Sequence, residues 1–428
     1  MGLEKLLKDV LPKGDHFEAL HLRNVPIETH PLITAKHDTN EPAPLTIKTQ
    51  HLFVLFYQGK VIYGLEIYVY LTLKHGSSSL FDAERTIFIS KADTTGYADC
   101  KLSYKNVTKA IIQYILSLDP NAYLQNVLPK ERDYSKIDPS LITKKTSAAK
   151  ALRIISNRLN QDSQPLRKPL DEQLSHSYQC SHNVKTKLCL FTRPAAEYLF
   201  AASSKNPRKH VVDGERLLKW WIDILDEILL ETFRENTEAK MRIPGEDPIN
   251  VKRYLRSTKY GHWEAGDVFG NNGKDLAAFR LPLFPDDPKT RFLRKLVEED
   301  RIYKTDLSTF WTELQERQEF KLSVIVSVIG IYGHVAEIPC NLPSTRDQIE
   351  ASSRRQFNSI KNYITGEEYD VISGATEAYV NVRDFLKIKL NRKLLQIIGD
   401  CQTGRKSKSA ERQEVVTTLQ VRKRPKKI

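Results

Sequence analysis

The sequence has five cysteines among 428 residues, at 100, 180, 189, 340 and 401, an odd number with no Cys-x-x-Cys pair. That usage excludes a disulfide framework and a four-cysteine zinc site, and it fits a reducing compartment. His176 and Cys180 have a chelating spacing, but no second pair accompanies them, so no metal is expected. No apolar run approaches membrane-spanning length, and the first residues lack the apolar core of a signal peptide. The expectation is a soluble intracellular chain with no membrane partner. A dinucleotide fingerprint, Walker loop, kinase set, nucleophile elbow and HExxH motif are all missing. Residues 270–274 are rich in Gly and Asn but have the wrong spacing for a P-loop, and the phosphate loop of the common N-acetyltransferases is absent too.

What is present is positive charge, unevenly spread. The formal charge is +13. Residues 401–428 hold nine Lys or Arg against Glu411 and Glu414, so the tail supplies 9 − 2 = +7 of that total. The body is only mildly basic, which argues against a nucleic-acid-binding core. The run Val421-Arg-Lys-Arg-Pro-Lys-Lys427 has the composition of a nuclear import signal or a docking arm for acidic chaperones. A solvated, disordered basic end is the plainer reading.

Periodicity predicts an α+β fold with a central mixed, mostly antiparallel sheet surrounded by helices. Residues 3–10 have helical spacing, and a connector runs from there to about 45. Residues 51–57 and 61–73, joined at Gln58-Gly59, read as a long hairpin, with 84–91 as a third strand. Ser103 caps a helix over 104–118. From 128 to 174 the pattern dissolves into a mobile basic insertion containing one weak amphipathic piece, 148–159. Beyond it come a strand at 187–192, a short helix from Pro194 to Phe200, and an apolar helix over 215–233. In that helix the adjacent Trp220 and Trp221 point about 100° apart, so one can pack in core while the other lines a cavity; core packing of both is the bland alternative. Helices at 248–256, 289–299, 307–317, 353–364 and 375–398 and a strand over 320–330 complete residues 1–400, read as one domain.

One stretch stands out. Between 281 and 292, three prolines in seven residues stiffen a loop that carries Asp286, Asp287, Lys289 and Arg291. Local grammar makes Asp286 or Asp287 a cap for the helix that follows. Two adjacent carboxylates on a rigid loop also suit a catalytic site. Composition leaves both readings open, and it leaves open two other functions: a nucleic-acid-binding protein and a non-catalytic binding scaffold.

Longer motifs narrow the choice. The runs Ile47-Lys-Thr-Gln-His51, Ser90-Lys-Ala-Asp-Thr94, Leu190-Phe-Thr-Arg-Pro-Ala195, Arg242-Ile-Pro-Gly-Glu-Asp-Pro248, Pro282-Leu-Phe-Pro-Asp-Asp-Pro-Lys289 and Tyr363-Ile-Thr-Gly-Glu-Glu-Tyr-Asp370 resemble those of the fungal histone H3 lysine acetyltransferases, the family known as regulators of retrotransposon transposition. The likeness covers roughly residues 1–400 and implies a fold similar to the CREB-binding-protein acetyltransferases. It further implies acetyl-CoA as donor, and lysines of newly synthesised histone H3 as acceptors. Those lysines are one before the histone fold and others in the N-terminal tail. The implied partners are the H3–H4 dimer, a nucleosome-assembly-protein-type chaperone and an anti-silencing-function chaperone, with no direct nucleic-acid requirement. The implied setting is the nucleus, in chromatin assembly behind replication forks, DNA damage response and genome stability.

The resemblance also assigns residues. Ala92, Asp93 and Thr94, then Lys101, Leu102, Ser103, Tyr104 and Lys105, match cofactor-contact segments; a helix N-terminus at Ser103 suits phosphate. The family pattern there is richer in arginine, so the lysines keep the charge without the bidentate geometry. Phe191, Ala195, His210, Val211, Val212 and Trp220 match the remaining cofactor contacts. Tyr198 and Trp221 match the substrate channel. Asp287 matches the proposed proton acceptor, Asp286 reinforces its field, and Lys289 matches a lysine acetylated by the enzyme itself. For Asp93 a plain turn role is an equal alternative.

Overall fold

Residues 45–74 hold the densest run of β-branched and aromatic side chains, and they form the middle of a sheet. The computed structural model describes residues 2–34, 44–74, 80–130, 175–181, 184–270, 272–316, 325–336 and 347–402, with isolated positions 148 and 152. Most of the expected insertion and all but the first two residues of the basic tail therefore lie outside the described residues.

In chain order, α1 (Leu3–Lys8) precedes β1 (His16–Asn24), β2 (Ile27–Thr29), β3 (Leu45–Tyr57), β4 (Lys60–Lys74), β5 (Asp82–Thr94) and α2 (Tyr104–Ser117). β6 (Lys185–Thr192), α3 (Gly214–Thr232), β7 (Glu238–Arg242), α4 (Pro248–Leu255) and β8 (Trp263–Ala265) follow. Then come α5 (Pro288–Glu298), α6 (Leu307–Gln315), β9 (Ser327–His334), β10 (Ile349–Ala351), α7 (Arg354–Thr365), α8 (Ile372–Leu390) and β11 (Leu395–Ile398). The strands make one sheet in the order β10-β1-β3-β4-β5-β6-β9-β7-β8, with β11 also paired to β1 and β2 to β3. Pairing is parallel only at β1–β10, β5–β6 and β7–β8, so the sheet is mixed and mostly antiparallel.

The hairpin turn holds Gln58 and Gly59 at φ 48° and 70°, the primed geometry that matches strand twist. From it β4 runs buried over almost its whole length, because helices cover both faces. On one face Leu65, Ile67 and Val69 meet Ile111, Ile112 and Ile115 of α2 and Leu225 and Ile228 of α3. On the other, Leu52, Val54 and Phe56 of β3 meet Phe357 and Ile360 of α7 and Val382 and Leu386 of α8. Helices α5 and α6 extend that second layer, where Leu293, Leu296, Phe310 and Leu314 pack with Val328 of β9.

Several expectations are corrected. The connector before residue 45 contains β1, whose His21 and Arg23 are buried and so interrupt the apolar alternation that marks a strand. The expected helix from 375 to 398 is two elements: Asn391, at φ 49°, ends α8 in the left-handed conformation, and β11 then pairs with β1. No helix forms between Pro194 and Phe200; a side chain claims those backbone amides, as described below. The strand expected over 320–330 is displaced to 327–334, its first residues lying outside the described ones. Among the described residues no helix is long and apolar enough to cross a membrane.

Candidate active site

Strands β5 and β6 run parallel and stay paired as far as Ile89 and Leu190. Beyond that point they separate, and a cavity of about 370 Å³ opens at their carboxyl ends, the usual position of a ligand crevice in parallel strands. Its apolar walls come from Ile89, Leu190, Phe191, Leu217, Trp220 and Trp221, with Tyr63, Tyr104 and Tyr198 among them. The rings of Trp220 and Trp221 meet edge-on at 4.8 Å, so α3 lends both to the cavity; Trp221 also packs in the core. Arg193, Arg208 and His210 give the same cavity a basic rim, while the Lys209 ammonium is buried against Asp93. An elongated ligand with an apolar arm and an anionic end suits this combination.

Asp93 organises one wall. Its Oδ2 accepts from the backbone N–H groups of Tyr198, Leu199 and Phe200 at 2.8, 2.9 and 3.2 Å. Its Oδ1 accepts from Thr94 N at 2.9 Å and from Lys209 Nζ at 2.8 Å. The carboxylate thus takes the amides that a helix over 194–200 would have donated to the carbonyls of 194–196, and holds the loop open. Gly64 of β4 makes room for that loop: a Cβ there would stand 2.9 Å from Phe200 and 3.1 Å from Leu199. The Tyr198 hydroxyl accepts from Ala195 N at 2.8 Å and donates to the Arg193 carbonyl, and burial pushes its phenol up to about 12.

The cavity brings together Ala92, Asp93, Thr94, Tyr104, Phe191, Ala195, Tyr198, His210, Val211, Val212, Trp220 and Trp221 from the predicted set. Lys101, Leu102, Ser103 and Lys105 do not line it. Ser103 instead caps α2 by accepting from Asn106 N, and Lys105 pairs with Glu227 of α3 at 2.9 Å. Among the lining residues not assigned a role from sequence are Lys91 and Lys209. Lys91 lies inside the motif 90–94, and Lys209 in the polar turn before His210; neither carries a chemical signature without its partner.

Asp286, Asp287 and Lys289 sit just behind this cavity rather than in its wall. Asp287 caps α5, accepting from Lys289 N at 2.9 Å, with Pro288 at the first helical position. Its Oδ2 also holds Lys289 Nζ at 2.6 Å, and both residues are buried, at 1% and 2% exposure. Lys289 Nζ lies 5.0 Å from the centre of the Phe191 ring, and Phe191 itself lines the cavity. Asp286 adopts the left-handed conformation, φ 55°, which turns it outward to Lys91 at 2.8 Å. The Lys91 ammonium holds the Asp286 carboxyl below its ordinary range. Among the described residues no group of three or more His, Cys, Asp or Glu side chains could hold a metal ion.

A family model described as a histone acetyltransferase KAT11-type domain matches residues 3–385. The chain belongs to this family. The histone acetyltransferase RTT109 of Candida albicans is 32% identical over 367 residues, 85% of this chain and 96% of that protein. The histone acetyltransferase rtt109 of Schizosaccharomyces pombe is 33% identical over 148 residues, 31% of this chain and 37% of that one. The crystal structure of Rtt109 from Aspergillus fumigatus shares the fold, with a TM-score of 0.65, 19% identity, and coverage of 94% of this chain and 100% of that one. As a KAT11-type protein the chain is an enzyme that acetylates histones, in a chromatin-related role. Membership implies acetyl-CoA as its co-substrate.

Proposed function

We propose that this KAT11-type enzyme acetylates lysines of newly synthesised histone H3, one before the histone fold and others in the tail. It acts in the nucleus during replication-coupled nucleosome assembly and the DNA damage response. Nucleosome-assembly-protein and anti-silencing-function chaperones present H3–H4 and activate the enzyme. Residues 1–400 are the catalytic domain, and 401–428 supply a basic arm for acidic chaperones.

The observation that carries the catalytic reading is the cavity itself. Its apolar slot between Trp220, Leu217 and Leu190 suits a pantetheine arm, and its basic rim suits phosphates. Tyr198 and Trp221 line the path of the acceptor lysine. That lysine arrives as an ammonium and must lose a proton before attacking the acetyl carbonyl. Asp287 takes the proton and Asp286 adds negative field beside it. Lys289 now occupies Asp287, so acetylation of Lys289 by the enzyme itself would remove the ammonium and free the carboxylate.

The test is acetyl transfer from acetyl-CoA to H3–H4, with and without each chaperone, followed by mass spectrometry of H3. Transfer absent in every condition would leave the scaffold reading standing. A Trp220→Ala variant is expected to bind coenzyme A about tenfold more weakly or worse, measured by calorimetry, since a stacked aromatic wall is lost. Unchanged affinity would move the pantetheine arm elsewhere.

A further inference from the structure

The buried ion pair of Asp287 and Lys289 has a second carboxylate beside it. Asp267 follows β8, is 4% exposed, and accepts from Phe269 N at 3.0 Å. β8 is fixed in place from below, because Asp226 of α3 accepts from Lys259 N, Tyr260 N and the Trp263 indole. Asp267 and Lys289 line one small void of about 10 Å³, otherwise walled by residues such as Phe88, Phe284 and Ile329. The charged groups that act on Asp267 are Lys289 and Asp287 at the start of α5 and Arg242 of β7, and it acts in turn on the Cys189 thiol of β6. Arg242 lies 5.0 Å from the centre of the Trp311 ring. Two carboxylates and two cations therefore act on one another in an apolar setting.

We infer that Asp267 is a positioning residue that acts through Lys289, balancing the lysine's charge before acetylation and taking up a proton when that charge is removed. The inference rests on the reading of Lys289 as a self-acetylated residue. In that step the Lys289 nitrogen forms a bond to the acetyl carbon and the carbon–sulfur bond of acetyl-CoA breaks. Of the two protons the ammonium gives up, one leaves with the coenzyme A thiol and the other ends on Asp267. The balance is Lys289 ammonium, acetyl-CoA and Asp267 carboxylate going to acetyl-Lys289, coenzyme A thiol and Asp267 carboxylic acid. Without that proton, two carboxylates would stay ionised in a buried site that has lost the Lys289 cation. Asp267 is the natural acceptor because burial already disfavours its ionised form. Asp287 then keeps its backbone donor and is free of the ammonium that holds it now.

The experiment has two arms, both on the full chain. Lys289→Gln and, separately, Lys289→Met remove the charge without needing self-acetylation. Infrared difference spectra against wild type at neutral pH should show a protonated carboxylic acid band in each. The band should vanish when Asp267→Asn is added; its absence in both single variants, or its survival in the double variants, overturns the inference. In the second arm, acetyl occupancy at Lys289 is followed by mass spectrometry across pH with acetyl-CoA. Asp267→Asn should move the pH profile to lower pH by about one unit, because Lys289 loses a balancing negative charge. A purely structural role would lower occupancy without moving the profile. If wild type shows no acetyl group at Lys289, the self-acetylation reading fails while the first arm still decides Asp267.

Discussion

Asp287→Asn is expected to slow acetyl transfer to H3–H4 by about 10²-fold or more, the range that a positioned general base contributes. The amide oxygen of asparagine can still accept from Lys289 N, so the α5 cap survives. What disappears is the charge, and the variant meets a second cost from it. Lys289 has 3% side-chain exposure and Asp287 none, and removing one partner of a buried pair costs about 3–5 kcal/mol. A melting-temperature drop would therefore accompany the kinetic loss and confuse it. Adding Lys289→Met separates the two, because the uncompensated cation is gone and the void beside it is mostly apolar. The double variant should regain most of the stability and none of the transfer rate. Recovery of both together would mean that Asp287 serves only to seat Lys289.

That pair also illustrates what could be seen in the chain beforehand. The cap was legible, because Asp-Pro at a helix start is a local signal, and so were the hairpin of β3 and β4 and the Ser103 cap of α2. These features rest on neighbours in sequence. Burial of Lys289 depends on Phe191 from a distant strand, and nothing in the run Asp-Asp-Pro-Lys predicts an ammonium almost without solvent. Strand β1 was missed for a related reason. His21 is buried against His51, Nε2 to Nδ1 at 2.9 Å, and stacks on Phe53, so polar letters occupy core positions. Strand β11 was absorbed into a helix because Leu395-Gln-Ile-Ile fits either period, and only its pairing with residues 16–19 decides. Asp267 attracted no notice from sequence, since an aspartate after glycine reads as a turn.

Asp93→Ala should be the most damaging single change in the site. The substitution strips the acceptor from Tyr198, Leu199 and Phe200 and leaves the Lys209 ammonium, on a side chain 5% exposed, with Ser203 Oγ at 2.7 Å as its remaining hydrogen-bond partner among the described residues. An uncompensated buried charge alone costs about 3–5 kcal/mol, and the lost amide bonds add to it. The free protein should melt several degrees lower, and added coenzyme A should no longer raise its melting temperature, because the 198–200 wall has lost its anchor. Adding Lys209→Met should recover the ion-pair part of the stability but not the response to coenzyme A. Asp93→Asn distinguishes an anchor from a ligand contact. Its amide oxygen can still receive the three N–H groups, so an anchoring role predicts that asparagine retains much of the coenzyme A response that alanine abolishes. A direct contact between the Asp93 carboxylate and the ligand predicts that asparagine and alanine lose it equally. The five hydrogen bonds already converging on that carboxylate leave it little capacity for a sixth partner, and favour the first outcome.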